Sequence, residues 1–434
     1  MADLSFLRAD PRPVAILGLG VSGKAVAEAC KQANVPYHAW MDEATAREEL
    51  GKTYVIEDIA QNLGGYQILV PAAGIKPSHP VLQKAKEAGV KIFSDIDLLY
   101  LSAPEATFIG ITGTNGKSTT TVLTGHILAQ AGETVEVGGN IGRAACSLPS
   151  LKSGGLYVLE LSSYQLEITA QPVYDIAALL NITEDHLEWH GDMAHYIAAK
   201  KKIFRTKPGK AQIDVIATDT AITRQIAADL NALTDHVVRT VTAEEAPVAD
   251  HPFLKGRHNA QNMAVAAEIC RQVGLDEATI VKHLLTFEGL PHRQKWVGTI
   301  GKVRFVNDSK ATNADATSHA LAAYRNIYWI LGGKPKDDGI DGLDKFYPHI
   351  RKAFLIGEAQ DRFAVKLDGA LPYEKNGTMA RAVRAAFAAA RQSDEEAVVL
   401  LSPACASFDQ YKNFEQRGDD FERLAQEIIK QEAA

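Results

Sequence analysis

The sequence predicts an α/β protein built from parallel sheets and divided into three domains. Short β-branched runs alternate with helical patterns along the whole chain, and two glycine-rich turns each join an apolar run to a helical stretch. The length of 434 residues is also more than one core usually supports. We expect domains at 1–100, 101–289 and 290–434, with boundaries near the Ser102–Glu105 segment and the Gly289–His292 turn.

Composition and charge indicate a cytoplasmic globular enzyme. Hydrophobic residues make up 46% of the chain and charged residues 23%, as in ordinary soluble proteins. The net charge of -7 argues against nucleic-acid binding, which depends on excess lysine and arginine. No apolar stretch approaches the ~20 residues that span a bilayer, and the N-terminus lacks an export pattern. We expect a monomer without membrane insertion, with buried free thiols at Cys30, Cys146, Cys270 and Cys405.

The first domain begins with the string VAILGLGVSGKAVAEAC, whose glycines have G-x-G-x-x-G spacing. A second β-like run from Tyr37 to Met41 follows and ends at an aspartate. This pattern is typical of a dinucleotide-binding βαβ unit, so an NAD-dependent oxidoreductase is one hypothesis. The candidate ligand contacts are Gly18, Gly20, Val21, Ser22, Gly23 and Asp42.

A second glycine-rich loop, GITGTNGKSTT, lies between a predicted strand from Thr107 to Thr112 and a predicted helix from about Lys117 to Ala131. Ile111 stands where the standard phosphate loop has its first glycine. The other parts are present: glycines that turn backbone amides inward, a lysine for the β- and γ-phosphates and a hydroxyl for Mg²⁺. A dehydrogenase has no use for such a triphosphate site. Its candidate contacts are Gly113, Thr114, Asn115, Gly116, Lys117, Ser118 and Thr119.

Further candidate groups follow the next predicted strands. Glu160 ends the apolar run LYVLE, and His186 follows the apolar run that ends in NITEDH. A carboxylate and an imidazole close to a triphosphate are suitable Mg²⁺ ligands. In the helical pattern MAHYIAAKKKIF, Lys200 falls in the middle of an apolar stripe. A lysine in that position needs a partner, because burying a lone ammonium group is costly.

The third domain places polar groups at the ends of apolar strands in FVNDSKATN, WILGGKPKDDG and LLSPACASFDQYKNFEQRG. Two lysines and several hydroxyls at strand ends would form a receptor for carboxylates or phosphates. The candidate residues are Asp308, Lys310, Thr312, Lys336, Ser407 and Phe414.

Motifs along the whole chain resemble those of the Mur ligases: GTNGKST, LELSSYQLE, NITEDH, HNAQN, GLPHR, NDSKATN and SPACASFDQYKNFEQRG. The last two strings are similar to those of members that add D-glutamate. The resemblance implies a Rossmann-like UDP-binding domain, a central P-loop ATPase-like domain and a C-terminal Rossmann-like domain. It also implies an enzyme of cytoplasmic peptidoglycan precursor synthesis, and so of cell-wall growth and division. ATP and Mg²⁺ would drive the addition of D-glutamate to UDP-N-acetylmuramoyl-L-alanine through an acyl phosphate.

The resemblance also implies roles for single residues. Lys117 would bind the γ-phosphate, while Glu160 with the Ser118 and Thr119 hydroxyls would hold one Mg²⁺. His186 and a carbamylated Lys200 would hold a second, since a neutral buried amine can take up CO₂. Asn262 and Arg293 would contact ATP, Asp308 its ribose, and Asn140 the uridine-linked substrate. The D-glutamate pocket would be formed by Lys310, Thr312, Lys336, Ser407 and Phe414.

In this interpretation the first glycine turn, Gly18 to Gly23, holds the UDP pyrophosphate. One departure is Ala72-Ala73-Gly74, where family members commonly have Ser-Pro-Gly beside the uridine. Two alternatives explain less of the chain. An oxidoreductase leaves GTNGKST without a role, and a nucleotide-switch binding protein leaves the lysine-rich third domain without one.

Overall fold

The computed structural model describes residues 1–207, 209–251, 253–335 and 339–432. The chain forms two compact units. The first contains Met1–Ala249 and Asn259–Thr286, and the second contains Asp250–His258 and Phe287–Ala434. Three separate sheets, nearly all parallel, confirm the predicted α/β class. Two of these sheets lie in the first unit. The division of the chain into three domains stays a prediction.

The first sheet is parallel, with strand order β2-β1-β3-β4. Its strands alternate with helices, so that each connection is a βαβ crossover. Helix α4 begins with a capping box, in which the Ser94 hydroxyl accepts from the Asp97 amide. The elements are β1 (Val14–Leu17), α1 (Val21–Gln32), β2 (Tyr37–Trp40), α2 (Ala44–Leu50), β3 (Ile68–Pro71), α3 (Pro80–Glu87), β4 (Lys91–Ile92) and α4 (Asp95–Ser102).

The second sheet is also parallel, with order β10-β9-β8-β5-β7-β6. The chain runs from β5 to β6 and β7 on one side and then to β8 on the other, which makes β5 the point where the strand order reverses. Open α/β sheets bind ligands at that point, beyond the carboxyl ends of the strands. The elements are β5 (Thr107–Thr112), α5 (Lys117–Gln130), β6 (Val135–Gly139), β7 (Leu156–Glu160), α6 (Ser163–Ile168), β8 (Ile176–Leu179), α7 (Leu187–His190), α8 (Met193–Lys201), β9 (Gln212–Ala217), α9 (Ala221–Asn231), β10 (His236–Val241), α10 (Arg257–Val273) and α11 (Glu277–Leu284).

The third sheet has order β11-β12-β16-β13-β14-β15. Its edge strand β11 pairs antiparallel with β12, so the expectation of wholly parallel sheets is wrong at this edge. The elements are β11 (Lys295–Ile300), β12 (Val303–Asn307), α12 (Ala314–Ala323), β13 (Ile327–Gly332), β14 (Ile350–Ile356), α13 (Gln360–Leu367), β15 (Tyr373–Gly377), α14 (Met379–Ala390), β16 (Ala397–Leu401) and α15 (Phe414–Glu432). Short 3-10 helices lie at Ser5–Ala9, Ile59–Gln61, Leu63–Gly65, Ala145–Ser147, Ala243–Glu245 and Asp344–His349.

Apolar side chains of the central strands and the covering helices form the cores of both units. All four cysteines are buried free thiols, as predicted. Within the described ranges, no helix is both long and apolar enough to cross a membrane.

Candidate active site

The glycine-rich loop between β5 and α5 has the backbone shape of a phosphate cradle. Gly113 and Gly116 adopt φ of 159° and 83°, and a Cβ on Gly116 would lie 2.2 Å from Asn262 Oδ1. The Asn115 amide donates to Asn181 Oδ1 at 2.8 Å, and Asn181 Nδ2 donates to the Asn115 carbonyl at 3.1 Å. These bonds fix the loop at the N-terminus of a 14-residue helix, where amides and the helix dipole favour an anion.

Two lysines meet at one carbonyl of this loop. Lys117 Nζ donates to the carbonyl oxygens of Gly113 and Thr114 at 3.0 and 2.8 Å. Lys200, in α8, donates to the same Gly113 oxygen at 2.7 Å and is only 1% exposed, as its apolar stripe predicted. Burial, with a smaller effect of the Lys117 charge, holds the pKa of Lys200 well below its usual range. The structure thus places a second, buried amine beside the predicted phosphate site.

Glu160 ends the neighbouring strand β7 and is buried. Its Oε1 accepts from Asn140 Nδ2 at 2.7 Å, whereas its Oε2 has no hydrogen-bond partner among the described residues. A buried carboxylate oxygen without a donor is costly unless a cation or a donor reaches it. Asn140, expected to contact the uridine-linked substrate, is here the partner of Glu160.

His186 lies in the loop after β8, with φ of 54° and 42% of its side chain exposed. Its Nε2 is 3.4 Å from Asp185 Oδ2, and its ring packs against Tyr164 with centroids 4.9 Å apart. Ser118 and Thr119 are buried in the first turn of α5. No group of three or more His, Cys, Asp or Glu side chains is placed to hold a metal ion in the part of the chain described.

The turn after β1 is the second candidate phosphate site in this unit. Gly18 has φ of 89°, and a Cβ on Gly23 would lie 1.9 Å from the Gly18 carbonyl oxygen. This close approach requires glycine at position 23. Val21 is 75% exposed at the start of α1, while Asp42, at the end of β2, pairs with His79 at 3.0 Å. Both features fit a turn that offers its surface to a ligand.

In the second unit, Asp308 follows β12 with its carboxyl group buried. Oδ2 accepts from the Ser402 hydroxyl at 2.8 Å, and Oδ1 accepts from the Gln294 amide at 3.2 Å. Burial raises the pKa of Asp308 to about 7. The adjacent Arg293 is half-buried between two residues with left-handed backbone, His292 at φ 60° and Gln294 at φ 47°. Strain of this kind is common at ligand sites.

The structure brings together two loops at the carboxyl end of the third sheet. The Ala404 amide donates to the Ala311 carbonyl at 3.0 Å, joining the loop after β16 to the loop after β12. The Lys310 ammonium lies 3.9 Å from the centroid of the Phe414 ring. Ser407 is buried and Thr312 is half-buried in these loops. Lys336 lies outside the described residues.

Sequence reasoning missed several residues that build these sites. Asn181 holds the phosphate loop, and its only signal was an asparagine directly after an apolar strand in NITEDH. Arg417 lies fully buried under the third-sheet loops. Its only signal in the sequence was its place in the string KNFEQRG, where the arginine had no assigned role.

Two protein-family models match parts of this chain. Residues 111–266 match the model of the Mur ligase middle domain, and residues 292–405 match that of the Mur ligase glutamate ligase domain. The chain belongs to the Mur ligase family. The oxidoreductase hypothesis is therefore not supported, because a glycine turn at a helix N-terminus suits any pyrophosphate.

Among the Mur ligases, the chain is similar over nearly its full length to proteins named UDP-N-acetylmuramoylalanine--D-glutamate ligase. The Phenylobacterium zucineum protein is 41% identical, with 96% of each chain covered. The Rhodospirillum rubrum protein is 44% identical, with 96% of this chain and 95% of that protein covered.

Solved structures of other Mur ligases have a similar fold. UDP-N-acetylmuramate-alanine ligase MurC from Thermotoga maritima has a TM-score of 0.58 at 17% identity, covering 96% of this Mur ligase and 100% of that chain. MurF from Acinetobacter baumannii has a TM-score of 0.56 at 16% identity, covering 85% and 82%. At these identities the likeness is one of fold alone.

Proposed function

We propose that this Mur ligase joins D-glutamate to UDP-N-acetylmuramoyl-L-alanine with ATP, in peptidoglycan precursor synthesis. The observation that carries the proposal is the similarity, at 41–44% identity and over about 95% of both lengths, to D-glutamate ligases. The phosphate cradle after β5 supports the use of a nucleoside triphosphate. We expect the enzyme to act in the cytoplasm as a monomer.

The proposed reaction has two steps. The γ-phosphoryl group of ATP passes to a carboxylate oxygen of the L-alanyl end, which leaves ADP and an acyl phosphate. The amine nitrogen of D-glutamate then forms a bond to the acyl carbon. Phosphate leaves with the electron pair of the broken C–O bond, and the nitrogen loses a proton. Binding and charge stabilisation supply most of the catalysis in phosphoryl transfer.

We assign ATP binding to the cradle and its lysine. The backbone amides of Gly113–Thr119 would surround the phosphates, and the Lys117 ammonium would turn from its carbonyl partners to the transferred group. Asn262, whose side chain lies against Gly116, would contact the nucleotide. Arg293 and Asp308 would contribute phosphate and ribose contacts.

A magnesium ion fits the donor set of the first unit. Glu160 offers a buried carboxylate oxygen that lacks a donor among the described residues. Mg²⁺ usually takes one or two carboxylates plus phosphate oxygens, so a single protein carboxylate is compatible with it. The ion would polarise the transferred phosphoryl group. Ser118 and Thr119 would complete the first site.

We propose that Lys200 carries a carbamate and, with His186, holds a second Mg²⁺. The amine is buried and its pKa is lowered, mainly by desolvation, so the neutral form that reacts with CO₂ is favoured. Addition of CO₂ with loss of a proton would convert the neutral amine into a two-oxygen anion, which would attract the Lys117 ammonium.

The substrate sites follow the predicted domain division at 1–100, 101–289 and 290–434. The turn Gly18–Gly23 would hold the UDP pyrophosphate, with Asp42 beside it and Asn140 contacting the same substrate. In the second unit, Lys310 and Lys336 would pair with the carboxylates of D-glutamate. Thr312, Ser407 and Phe414 would complete that pocket.

The experiment is a product assay with a panel of amino acids. Purified protein, ATP and UDP-N-acetylmuramoyl-L-alanine are incubated with D-glutamate, L-glutamate or D-alanine, and nucleotide products are separated by chromatography. A new product with D-glutamate alone is expected. A product with another amino acid, or none with D-glutamate, would refute the proposed specificity.

A further inference from the structure

The guanidinium group of Arg417 is buried without an acidic partner in the described part of the chain. Its side chain is 1% exposed, and its hydrogen bonds go to one hydroxyl and two carbonyl oxygens. Burial lowers the pKa of Arg417 to about 10, so the group is still charged at neutral pH. An arginine kept in this state has a specific task, because an apolar side chain would be cheaper to bury.

Arg417 joins loops that carry the candidate amino-acid contacts. Nε donates to Ser309 Oγ at 3.0 Å and Nη2 to the Ser309 carbonyl at 2.8 Å, next to Lys310. Nη1 donates to the carbonyl of Cys405 at 3.0 Å, two residues before Ser407. Hydrogen bonds from one planar guanidinium group thereby hold the two loops together.

The same group also fixes the start of α15. The Ser309 hydroxyl, while it accepts from Arg417, donates to the Phe414 carbonyl at 2.8 Å. The Phe414 ring lies under the Lys310 ammonium at 3.9 Å from its centroid. Movement of the guanidinium would therefore change the position of this cation–π pair.

The backbone packs closely around Arg417. A Cβ on Gly333, where φ is 135°, would lie 3.1 Å from Arg417 Nη1 and 2.3 Å from the Ala406 carbonyl oxygen. A Cβ on Gly418 would lie 2.2 Å from His292 Nδ1. A side chain at position 333 would therefore contact the guanidinium group.

We propose that Arg417 is a positioning residue for the amino-acid substrate, which holds the loops of Lys310 and Ser407 in the geometry that receives an acidic amino acid. Its positive charge also favours a carboxylate ligand in the same unit. This inference rests on the proposed function, since it assumes that these loops bind D-glutamate.

The test compares Arg417→Lys, Arg417→Met and Ser309→Ala with the matched control Arg423→Met. Arg423 lies on the same helix but is exposed and paired with Asp420 and Glu427. The measurements are kcat, the KM values for D-glutamate and ATP, and the melting temperature. We expect the D-glutamate KM to rise about tenfold or more in Arg417→Met and less in Arg417→Lys, with the ATP KM nearly unchanged.

Ser309→Ala keeps the charge and removes one anchor, so it keeps the test decisive where Arg417→Met fails to fold. Its D-glutamate KM should rise while its melting temperature falls less than that of Arg417→Met. An unchanged D-glutamate KM in both Ser309→Ala and Arg417→Lys would overturn the inference. A rise of the D-glutamate KM and the ATP KM together, in proportion to the fall in melting temperature, would also overturn it. A wild-type protein that does not use D-glutamate would instead refute the proposed function.

Discussion

Lys117 and Lys200 donate hydrogen bonds to one acceptor, the carbonyl oxygen of Gly113, over 3.0 and 2.7 Å. Two ammonium groups at one carbonyl repel each other, and only Lys200 is fully buried. Burial and the Lys117 charge both lower the pKa of Lys200. Of the two amines, Lys200 is therefore the one whose neutral form burial favours.

Lys200→Ala should fold normally yet lose most ligase activity, because it removes the proposed carbamate. A small carboxylate such as acetate should restore part of the turnover by occupying the vacated position. Turnover is measured as phosphate release over an acetate series.

The matched control is Lys201→Ala. Lys201 is 40% exposed and lies 3.7 Å from Asp229, so its loss should leave turnover unchanged at every acetate concentration. A bare amine at Lys200 in electron density from a metal-bound, active crystal form would rule out the carbamate.

Lys117→Ala should raise the barrier to phosphoryl transfer by roughly 3 kcal/mol or more, by analogy with the loss of one preorganised donor. The substitution leaves α5 and its packing intact, so the melting temperature should hardly change. Steady-state kinetics decide the matter: turnover within about tenfold of the wild type would show that Lys117 does not stabilise the transferred group.

UDP-N-acetylmuramoyl-L-alanine should raise the melting temperature, whereas NAD and NADP should not. The turn after β1 would hold the UDP pyrophosphate, and ligand at a hundred times its Kd adds roughly 2.7 kcal/mol to the free energy of unfolding. Thermal denaturation with each nucleotide measures the shift. Stabilisation by NAD alone would restore the oxidoreductase hypothesis.

Asp308→Asn should change how stability depends on pH. Burial raises the pKa of Asp308 to about 7 in the folded chain, above the unfolded value of about 3.9. The stability linked to this group is thus fully present below about pH 3.9 and is lost as pH rises through about 7.

The free energy of unfolding of Asp308→Asn, taken relative to that of the wild type, should therefore be larger at about pH 8 than at about pH 5. The expected gain is on the order of 2 kcal/mol. Urea unfolding at both pH values measures this gain. Asp368→Asn, at an exposed position of the same unit, is the control with no expected gain. Parallel behaviour of Asp308→Asn and the wild type would show that the carboxyl does not titrate in this range.

Strong local patterns predicted much of the fold. The strand Thr107–Thr112 and the helix start at Lys117 lie where the sequence placed them. The apolar β-branched run indicates a strand, and the glycines that follow it indicate a tight turn into a helix. The antiparallel strand β11 could not be predicted, since Lys295–Ile300 is an edge strand with mostly half-exposed residues and no apolar run.

Sequence reasoning could propose candidate residues by their chemical type near a strand end, as with Glu160 and Lys117, and their roles stay predictions. It was not predictable where a role depends on contacts between distant segments. The bond from Asn115 to Asn181 joins residues 66 positions apart, and that from Arg417 to Ser309 joins residues 108 positions apart. Periodicity did predict the burial of Lys200, although the buried face of α8 is formed by Tyr196, Ala199 and Lys200.

Oxygen-18 transfer tests the central claim most directly. UDP-N-acetylmuramoyl-L-alanine labelled with oxygen-18 in its alanyl carboxylate is incubated with ATP, D-glutamate and the protein, and the released phosphate is analysed by mass spectrometry. An acyl phosphate predicts that each phosphate carries one labelled oxygen and that its release requires D-glutamate. Unlabelled phosphate, or release that ignores D-glutamate, would contradict the account.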